Sequence, residues 1–138
     1  MSISDSNLHV LLVEDDAIDI KYIKYGFSEY GIKNTLTVVG NGVEALDKIY
    51  GRNKVAKMDP SPKVIILDNN MPKMNGLEFL KILRSDPQFS ALTVFILSSS
   101  GADRDMKAVQ GLNVAGYFLK PLDFDAFLPL YKSIVDTF

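Results

Sequence analysis

Short apolar runs recur along the chain, and four of them end on a residue with a polar or charged side chain. The four pairs are residues 10–13 before Glu14, 64–67 before Asp68, 95–97 before Ser98 and 117–119 before Lys120. Runs of this length without polar interruptions are typical of strands buried on both faces of a parallel sheet. We therefore predict strands at 10–13, 64–67, 93–97 and 115–119, and a further β-branched strand at 35–39.

Between the strands, apolar residues recur three or four positions apart, as in amphipathic helices. The first helix ends near Gly31, a residue suited to a left-handed cap, and its inward stripe is Ile20, Ile23, Phe27 and Tyr30. The second helix begins after an N-cap at Asn41 and ends near Tyr50. Residues 51–62 carry Gly51, Pro60 and Pro62 and are predicted to form a surface loop.

Three further helices complete the alternation. The third is marked by Leu77, Leu80 and Leu83 and ends near Pro87, and a short fourth helix covers 103–110. The last covers 123–138, where Pro129 predicts a local irregularity or a late helix start. Its inward stripe is Phe127, Leu130, Tyr131, Ile134 and Phe138. Strict alternation of strands and helices predicts one α/β domain over 1–138, with a parallel sheet, helices on both of its faces and a flexible N-terminus at 1–7.

The composition narrows the classes of function. The chain has 138 residues, 47% of them hydrophobic, a net charge of −2, no cysteine and one histidine. We expect no thiol chemistry, no multi-histidine zinc site, no nucleic-acid partner and no membrane association, since no apolar run approaches the ~20 residues that span a bilayer. His9, at the start of the first strand, is predicted to be structural or partly exposed. The absence of a leader pattern and of sequence after Phe138 indicates a cytoplasmic, stand-alone domain.

The polar strand ends predict a site, because ligands of open parallel sheets bind beyond the carboxyl ends of the strands. If strands one and three are neighbours, Glu14, Asp15 and Asp68 share one pocket, where two carboxylates ~4 Å apart repel by about 4 kcal/mol. Mg2+, or Mn2+, suits such an all-oxygen cluster. Asp68 is then the predicted nucleophile toward phosphorus, Ser98 and Lys120 contact the phosphoryl group, and the carbonyl of Asn70 completes the metal shell.

Four motifs, in order along the chain, carry a resemblance to a known family. They are Leu12-Val13-Glu14-Asp15-Asp16, Ile66-Leu67-Asp68-Asn69-Asn70-Met71-Pro72, Leu97-Ser98-Ser99 and Tyr117-Phe118-Leu119-Lys120-Pro121. With these motifs the chain resembles the receiver domains of response regulators in two-component signalling. The resemblance implies a flavodoxin-like (βα)5 fold with sheet order 2-1-3-4-5.

The resemblance also implies roles for individual residues. Asp68 would accept the phosphoryl group from a histidine kinase or a histidine phosphotransfer protein, and Glu14, Asp15, Asp68 and the Asn70 carbonyl would hold Mg2+. Ser98 would draw toward the phosphate and let Tyr117 change rotamer. That switch would remodel a face for a downstream protein, built from the fourth helix, the fifth strand and the last helix. The protein would be a monomer or a phosphorylation-dependent dimer, and would catalyse only its own phosphorylation and dephosphorylation.

Some positions depart from the commonest family pattern or point to a subgroup. Asn69 replaces an apolar residue, and Asn70 and Ser100 match positions that tune dephosphorylation. The Lys120-Pro121 peptide is often cis in the family. Asp19, Lys21 and the 51–62 loop resemble single-domain regulators that pair with phytochrome-type kinases.

Alternatives remain open at the level of sequence. An aspartate-based phosphatase would use the same nucleophile, although such enzymes place an acid where this chain has Asn70. A flavodoxin-like FMN-binding module shares the fold, although its phosphate-binding loop after the first strand is rich in Ser, Thr and Gly, where this chain has Glu14-Asp15-Asp16. A third alternative is a receiver that no longer takes phosphate. Asp16 is predicted to cap the first helix with at most a minor metal role, and Tyr117 could simply be a packed aromatic residue.

Overall fold

The computed structural model describes residues 9–32, 36–69, 74–99, 107 and 111–137. Five parallel strands form one sheet in the order β2-β1-β3-β4-β5. The strands are β1 (Val10–Val13), β2 (Leu36–Val39), β3 (Val64–Asp68), β4 (Thr93–Ser98) and β5 (Gly116–Leu119). The predicted fold and strand order are confirmed, and β1 and β3 are hydrogen-bonded neighbours in register from Val10 beside Val64 to Val13 beside Leu67.

Helices cover both faces of this sheet. The described helices are α1 (Ala17–Glu29), α2 (Gly42–Tyr50), α3 (Gly76–Ser85) and α4 (Leu128–Thr137). Side chains alternate along each strand, so Leu12 packs with the α1 and α4 residues while Leu11 packs with those of α2 and α3. Two hydrophobic clusters therefore sandwich the sheet, and all five residues of β3 are buried between them. None of the described helices is both long and apolar enough to cross a membrane.

The helix ends follow the predicted caps. Asp16 caps α1 by accepting from the backbone N–H groups of Ile18 at 2.8 Å and Asp19 at 3.1 Å. Asn41 caps α2 by accepting from the Glu44 N–H at 3.0 Å. Gly31, just beyond α1, has a φ of 71°, in the left-handed region that glycine adopts without a steric penalty.

The last helix starts late, as the proline predicts. Residues 124–127 form a 3₁₀ turn, and α4 begins only at Leu128. Pro129 is then in the first turn of α4, where a missing backbone donor costs no helical hydrogen bond. Phe138 lies outside the described residues, as does nearly all of the fourth helix predicted at 103–110.

The predicted surface loop at 51–62 contains no helix or strand and is mostly exposed. Met58 and Pro62 are buried. The Met58 side chain packs with the α2 and α3 residues, and its N–H donates to the Lys48 carbonyl at 2.8 Å. The loop is therefore fixed to α2 near its middle.

Candidate functional site

The carboxyl ends of four strands meet at one edge of the sheet, as predicted. Hydrogen bonds extend the strand pairing past the ends: the Glu14 N–H donates to Val39 O at 2.9 Å and the Lys120 N–H to Ser98 O at 2.8 Å. Glu14, Asp68 and Ser98 are buried, with 0%, 2% and 0% of their surface exposed. The strand ends therefore hold polar groups inside the protein at fixed positions.

Lys120 joins the acidic side chains. Its Nζ lies 2.7 Å from Glu14 Oε1 and 3.1 Å from Asp68 Oδ1. A third carboxylate, Asp19 Oδ2, lies 3.1 Å from the same nitrogen. The Lys120-Pro121 peptide is cis. Of the predicted site residues, the structure thus brings Glu14, Asp68 and Lys120 into direct contact.

Glu14 is oriented by the backbone that follows it. Its Oε2 accepts from the N–H of Asp15 at 3.1 Å and from the N–H of Asp16 at 3.2 Å. The Asp16 side chain caps α1, which confirms that predicted cap. Glu14 can therefore present its second oxygen to the pocket while Asp15 stays exposed at its rim.

The acidic residues fit a divalent cation. One carboxylate oxygen from each of Glu14, Asp15 and Asp68 lies within 4.8 Å of the others, the grouping from which a metal ion could be held. They line a cavity of about 390 Å³ that is open to solvent and is also lined by Asp16, Asp19, Ser99, Lys120 and Pro121. An all-oxygen donor set with room for water suits Mg2+ or Mn2+. Asn70 and Ser100 lie outside the described residues.

Burial changes the acid–base properties of the central pair. It raises the pKa of Glu14 from 4.5 to about 7; the Lys120 ammonium opposes this rise and the Asp68 carboxylate adds to it. Burial alone would lower the pKa of Lys120, but the hydrogen bonds and charges of Glu14 and Asp68 outweigh it and raise that pKa above 10.5. Lys120 therefore remains charged, while Glu14 titrates near neutral pH.

This shift predicts how metal-free protein responds to pH. Because the folded pKa of Glu14 is above its unfolded value, the folded chain retains a proton that the unfolded chain has released between pH 4.5 and about pH 7. The contribution of Glu14 to stability is present at low pH and is lost as the pH rises through that window. In EDTA, wild type should lose on the order of 2 kcal/mol relative to Glu14→Gln between about pH 5 and about pH 8, measured by urea unfolding. Parallel pH profiles for the two proteins would contradict this assignment.

Tyr117 lies on β5, the strand that ends before Lys120. Its ring packs against the cluster between the sheet and the α2 and α3 helices. Among the described residues, its buried hydroxyl has no hydrogen-bond partner. His9 lies at the opposite end of the sheet, where its carbonyl accepts from the Lys63 N–H at 2.9 Å.

Asp19 is the site residue whose contact with Lys120 the sequence did not reveal. Its position could have indicated this contact, because Asp19 lies one turn after Asp15 and Asp16, in the first turn of the helix that follows β1. Residues one turn apart lie on the same helix face, so an acid there could have been placed toward the strand edge.

Glu14, Asp68 and Lys120 in contact at the carboxyl edge of a five-stranded parallel sheet form the arrangement that the sequence motifs predicted for a receiver domain. The chain matches the response regulator receiver domain family over residues 10–132. It is 30% identical over 114 residues to chemotaxis protein CheY1 of Helicobacter pylori, covering 83% of this chain and 86% of that one. The chain therefore belongs to the response regulator receiver domain family.

Solved structures show the same similarity. A two-component response regulator from Legionella pneumophila superimposes with a TM-score of 0.82 at 38% identity, over 96% of this chain and all of that one. The bacteriophytochrome response regulator RtBRR also superimposes with a TM-score of 0.82, at 33% identity, over 92% of this chain and 77% of that one.

Proposed function

We propose that this receiver domain accepts a phosphoryl group on Asp68 from a histidine kinase or a histidine phosphotransfer protein. The observation that carries the proposal is the position of the Asp68 carboxylate: it ends the central buried strand, and one oxygen lies 3.1 Å from Lys120 Nζ. A carboxylate held beside an ammonium group can attack phosphorus while the positive charge stabilises the phosphoryl oxygens.

The residues of this chain that take part in the transfer lie at this edge of the sheet. An Asp68 oxygen attacks the phosphorus of the donor's phosphohistidine, the P–N bond breaks, and the histidine leaves with the electron pair. The product is an aspartyl phosphate. Lys120 exchanges its contact with Asp68 for one with a phosphoryl oxygen, and the Ser98 hydroxyl donates to another.

A divalent cation is part of the proposal. Glu14, Asp15 and Asp68, with the Asn70 carbonyl, would hold Mg2+, or Mn2+ in its place. When bound, the cation supplies positive charge that offsets the repulsion among the acids and stabilises the phosphoryl oxygens. Receivers are signalling domains, and we propose no reaction for this one beyond its own phosphorylation and dephosphorylation.

Ser98 and Tyr117 would couple phosphorylation of Asp68 to a change at the protein surface. Ser98 is buried at the end of β4, and Ile96 pairs with Tyr117 on β5. Movement of Ser98 toward the phosphate would allow the Tyr117 side chain to change position. The buried Tyr117 hydroxyl has no hydrogen-bond partner among the described residues, so a position that gives it one is favoured. The surface that changes would include β5 and α4 and would bind a downstream protein, or a second copy of the chain.

The cognate kinase belongs to the same proposal. RtBRR is named a bacteriophytochrome response regulator, so phytochrome-type histidine kinases are the first class to test as phosphodonors. We place the protein in the cytoplasm, where such kinases present their phosphohistidine.

Incubation with acetyl phosphate and Mg2+ tests the proposal. We expect an increase in mass by one phosphoryl group, which EDTA prevents. Hydroxylamine should remove the phosphoryl group and leave a hydroxamate in its place, since it attacks the carbonyl carbon of an acyl phosphate and displaces phosphate. Wild-type protein that gains no mass from acetyl phosphate or from phosphorylated kinase would refute phosphoryl acceptance. Rapid turnover of an external phosphoester would favour an aspartate-based phosphatase, and bound yellow FMN would favour a flavodoxin-like module.

A further inference from the structure

The Lys120 ammonium has as many carboxylate partners as it has donors. An ammonium group carries three N–H donors. Glu14, Asp68 and Asp19 each place an oxygen within 3.1 Å of Nζ. Each donor can therefore be engaged by a different acid, and two of these acids, Glu14 and Asp68, also belong to the group that could hold a metal ion.

Asp19 differs from the other two partners in its position. It lies in the first turn of α1 rather than at a strand end, and its N–H donates to Asp16 Oδ1 at 3.1 Å. Its side chain is 18% exposed, compared with 0% for Glu14 and 3% for Asp68. Asp19 therefore approaches Lys120 from the solvent side of the pocket and stands outside the three-acid metal group.

We propose that Asp19 is a positioning residue that shares Lys120 with the metal-binding acids and so sets the affinity of the site for Mg2+. This inference rests on the proposed function. Lys120 and a divalent cation compete for the oxygens of Glu14 and Asp68, since each oxygen turned toward the ammonium is less available to the cation. Asp19 attracts the ammonium toward α1 and weakens that competition. Without Asp19, Lys120 pairs fully with the two metal-binding acids.

Two variants separate this contact from simple charge. Asp19→Asn removes one negative charge together with the Lys120 partner. Asp16→Asn removes one negative charge from the same pocket wall but makes no described contact with Lys120, and asparagine caps a helix as well as aspartate does. The difference in Mg2+ affinity between the two variants measures the effect of Asp19 that depends on its contact with Lys120.

Isothermal titration calorimetry with Mg2+ alone, without a phosphodonor, measures the affinity of each variant for the cation. We expect Asp19→Asn to weaken Mg2+ binding about tenfold and Asp16→Asn about threefold, the latter from lost Coulomb attraction. In a Lys120→Gln background, Asp19→Asn should have only the smaller effect, because the residue it acts through is gone. Melting temperatures of all variants verify that they are folded.

Equal losses of affinity in Asp19→Asn and Asp16→Asn would overturn the inference, as would an undiminished effect of Asp19→Asn in the Lys120→Gln background or a wild type that binds no Mg2+. The comparison of the two aspartate variants stands alone if Lys120→Gln fails to fold. Failure of phosphoryl acceptance is a separate result: wild type would then show the expected Mg2+ affinities but gain no mass with acetyl phosphate.

Discussion

An Asp68→Asn protein is expected to take up no phosphoryl group from acetyl phosphate or from a phosphorylated kinase, a loss of at least about a thousandfold in rate. The amide is nearly the same size as the carboxylate but is not a nucleophile toward phosphorus. The variant should still fold, because the substitution removes one of three neighbouring carboxylates that repel each other, those of Glu14, Asp15 and Asp68. Intact-mass spectrometry after timed incubation with donor and Mg2+ measures the rate.

A matched control makes the same chemical change elsewhere. Asp136 is at an exposed position of α4 and is not among the residues that line the pocket around Asp68, so Asp136→Asn should be phosphorylated at the wild-type rate. If Asp68→Asn gained mass as fast as Asp136→Asn, the phosphoryl group would be attached to another residue. Peptide mapping after borohydride reduction of the acyl phosphate would then identify that residue.

The sheet and its polar edge could be predicted because burial on both faces leaves little choice of residue. A central strand of a parallel sheet contacts helices on both faces, so its residues are apolar up to the point where the strand ends. The first polar residue after each run therefore marks the strand end, as Asp68 and Ser98 do for β3 and β4. Helix caps such as Asn41 could also be predicted, because the capping residue and the backbone N–H group that it binds lie within a few residues of each other in the sequence.

Contacts between distant segments left no such pattern. The Asp19–Lys120 ion pair depends on how α1 leaves β1 relative to the end of β5, which lies at the other end of the chain. Periodicity places Asp19 on a helix face but does not say which strand end that face approaches. The raised pKa of Glu14 has the same origin, because it depends on burial by neighbours from several strands.

Arg84 is the clearest residue without a signal in the sequence, where it is one more charged position in a helix. In the structure it lies in the last turn of α3 and its guanidinium donates to four backbone carbonyls. These are Leu112 O at 2.8 Å, Phe89 O at 2.7 Å, Leu92 O at 2.6 Å and Asn113 O at 2.9 Å. Because any residue type supplies a carbonyl, the acceptors cannot be identified from side chains. Arg84 thus ties α3 to the segment that leads into β5 and Lys120.

We expect Arg84→Met to lower the free energy of unfolding by about 3 kcal/mol, measured by urea denaturation. Hydrogen bonds from a charged donor are stronger than neutral ones, and their loss leaves partly buried carbonyls unpaired. Arg84→Lys should recover only part of the loss, since an ammonium cannot reproduce the planar fork. Arg52→Met is the control: Arg52 is exposed over the Tyr50 ring at 4.9 Å, and its loss should cost less than about 1 kcal/mol.

The functional consequence follows from where the Arg84 contacts lie. They hold residues 112 and 113, only a few positions before β5, whose end carries Lys120. Folded Arg84→Met protein should therefore still take up a phosphoryl group on Asp68, but more slowly than wild type, because Lys120 is less well fixed. Equal stability of Arg84→Met and Arg52→Met would show that the four hydrogen bonds add nothing beyond what water supplies to those carbonyls.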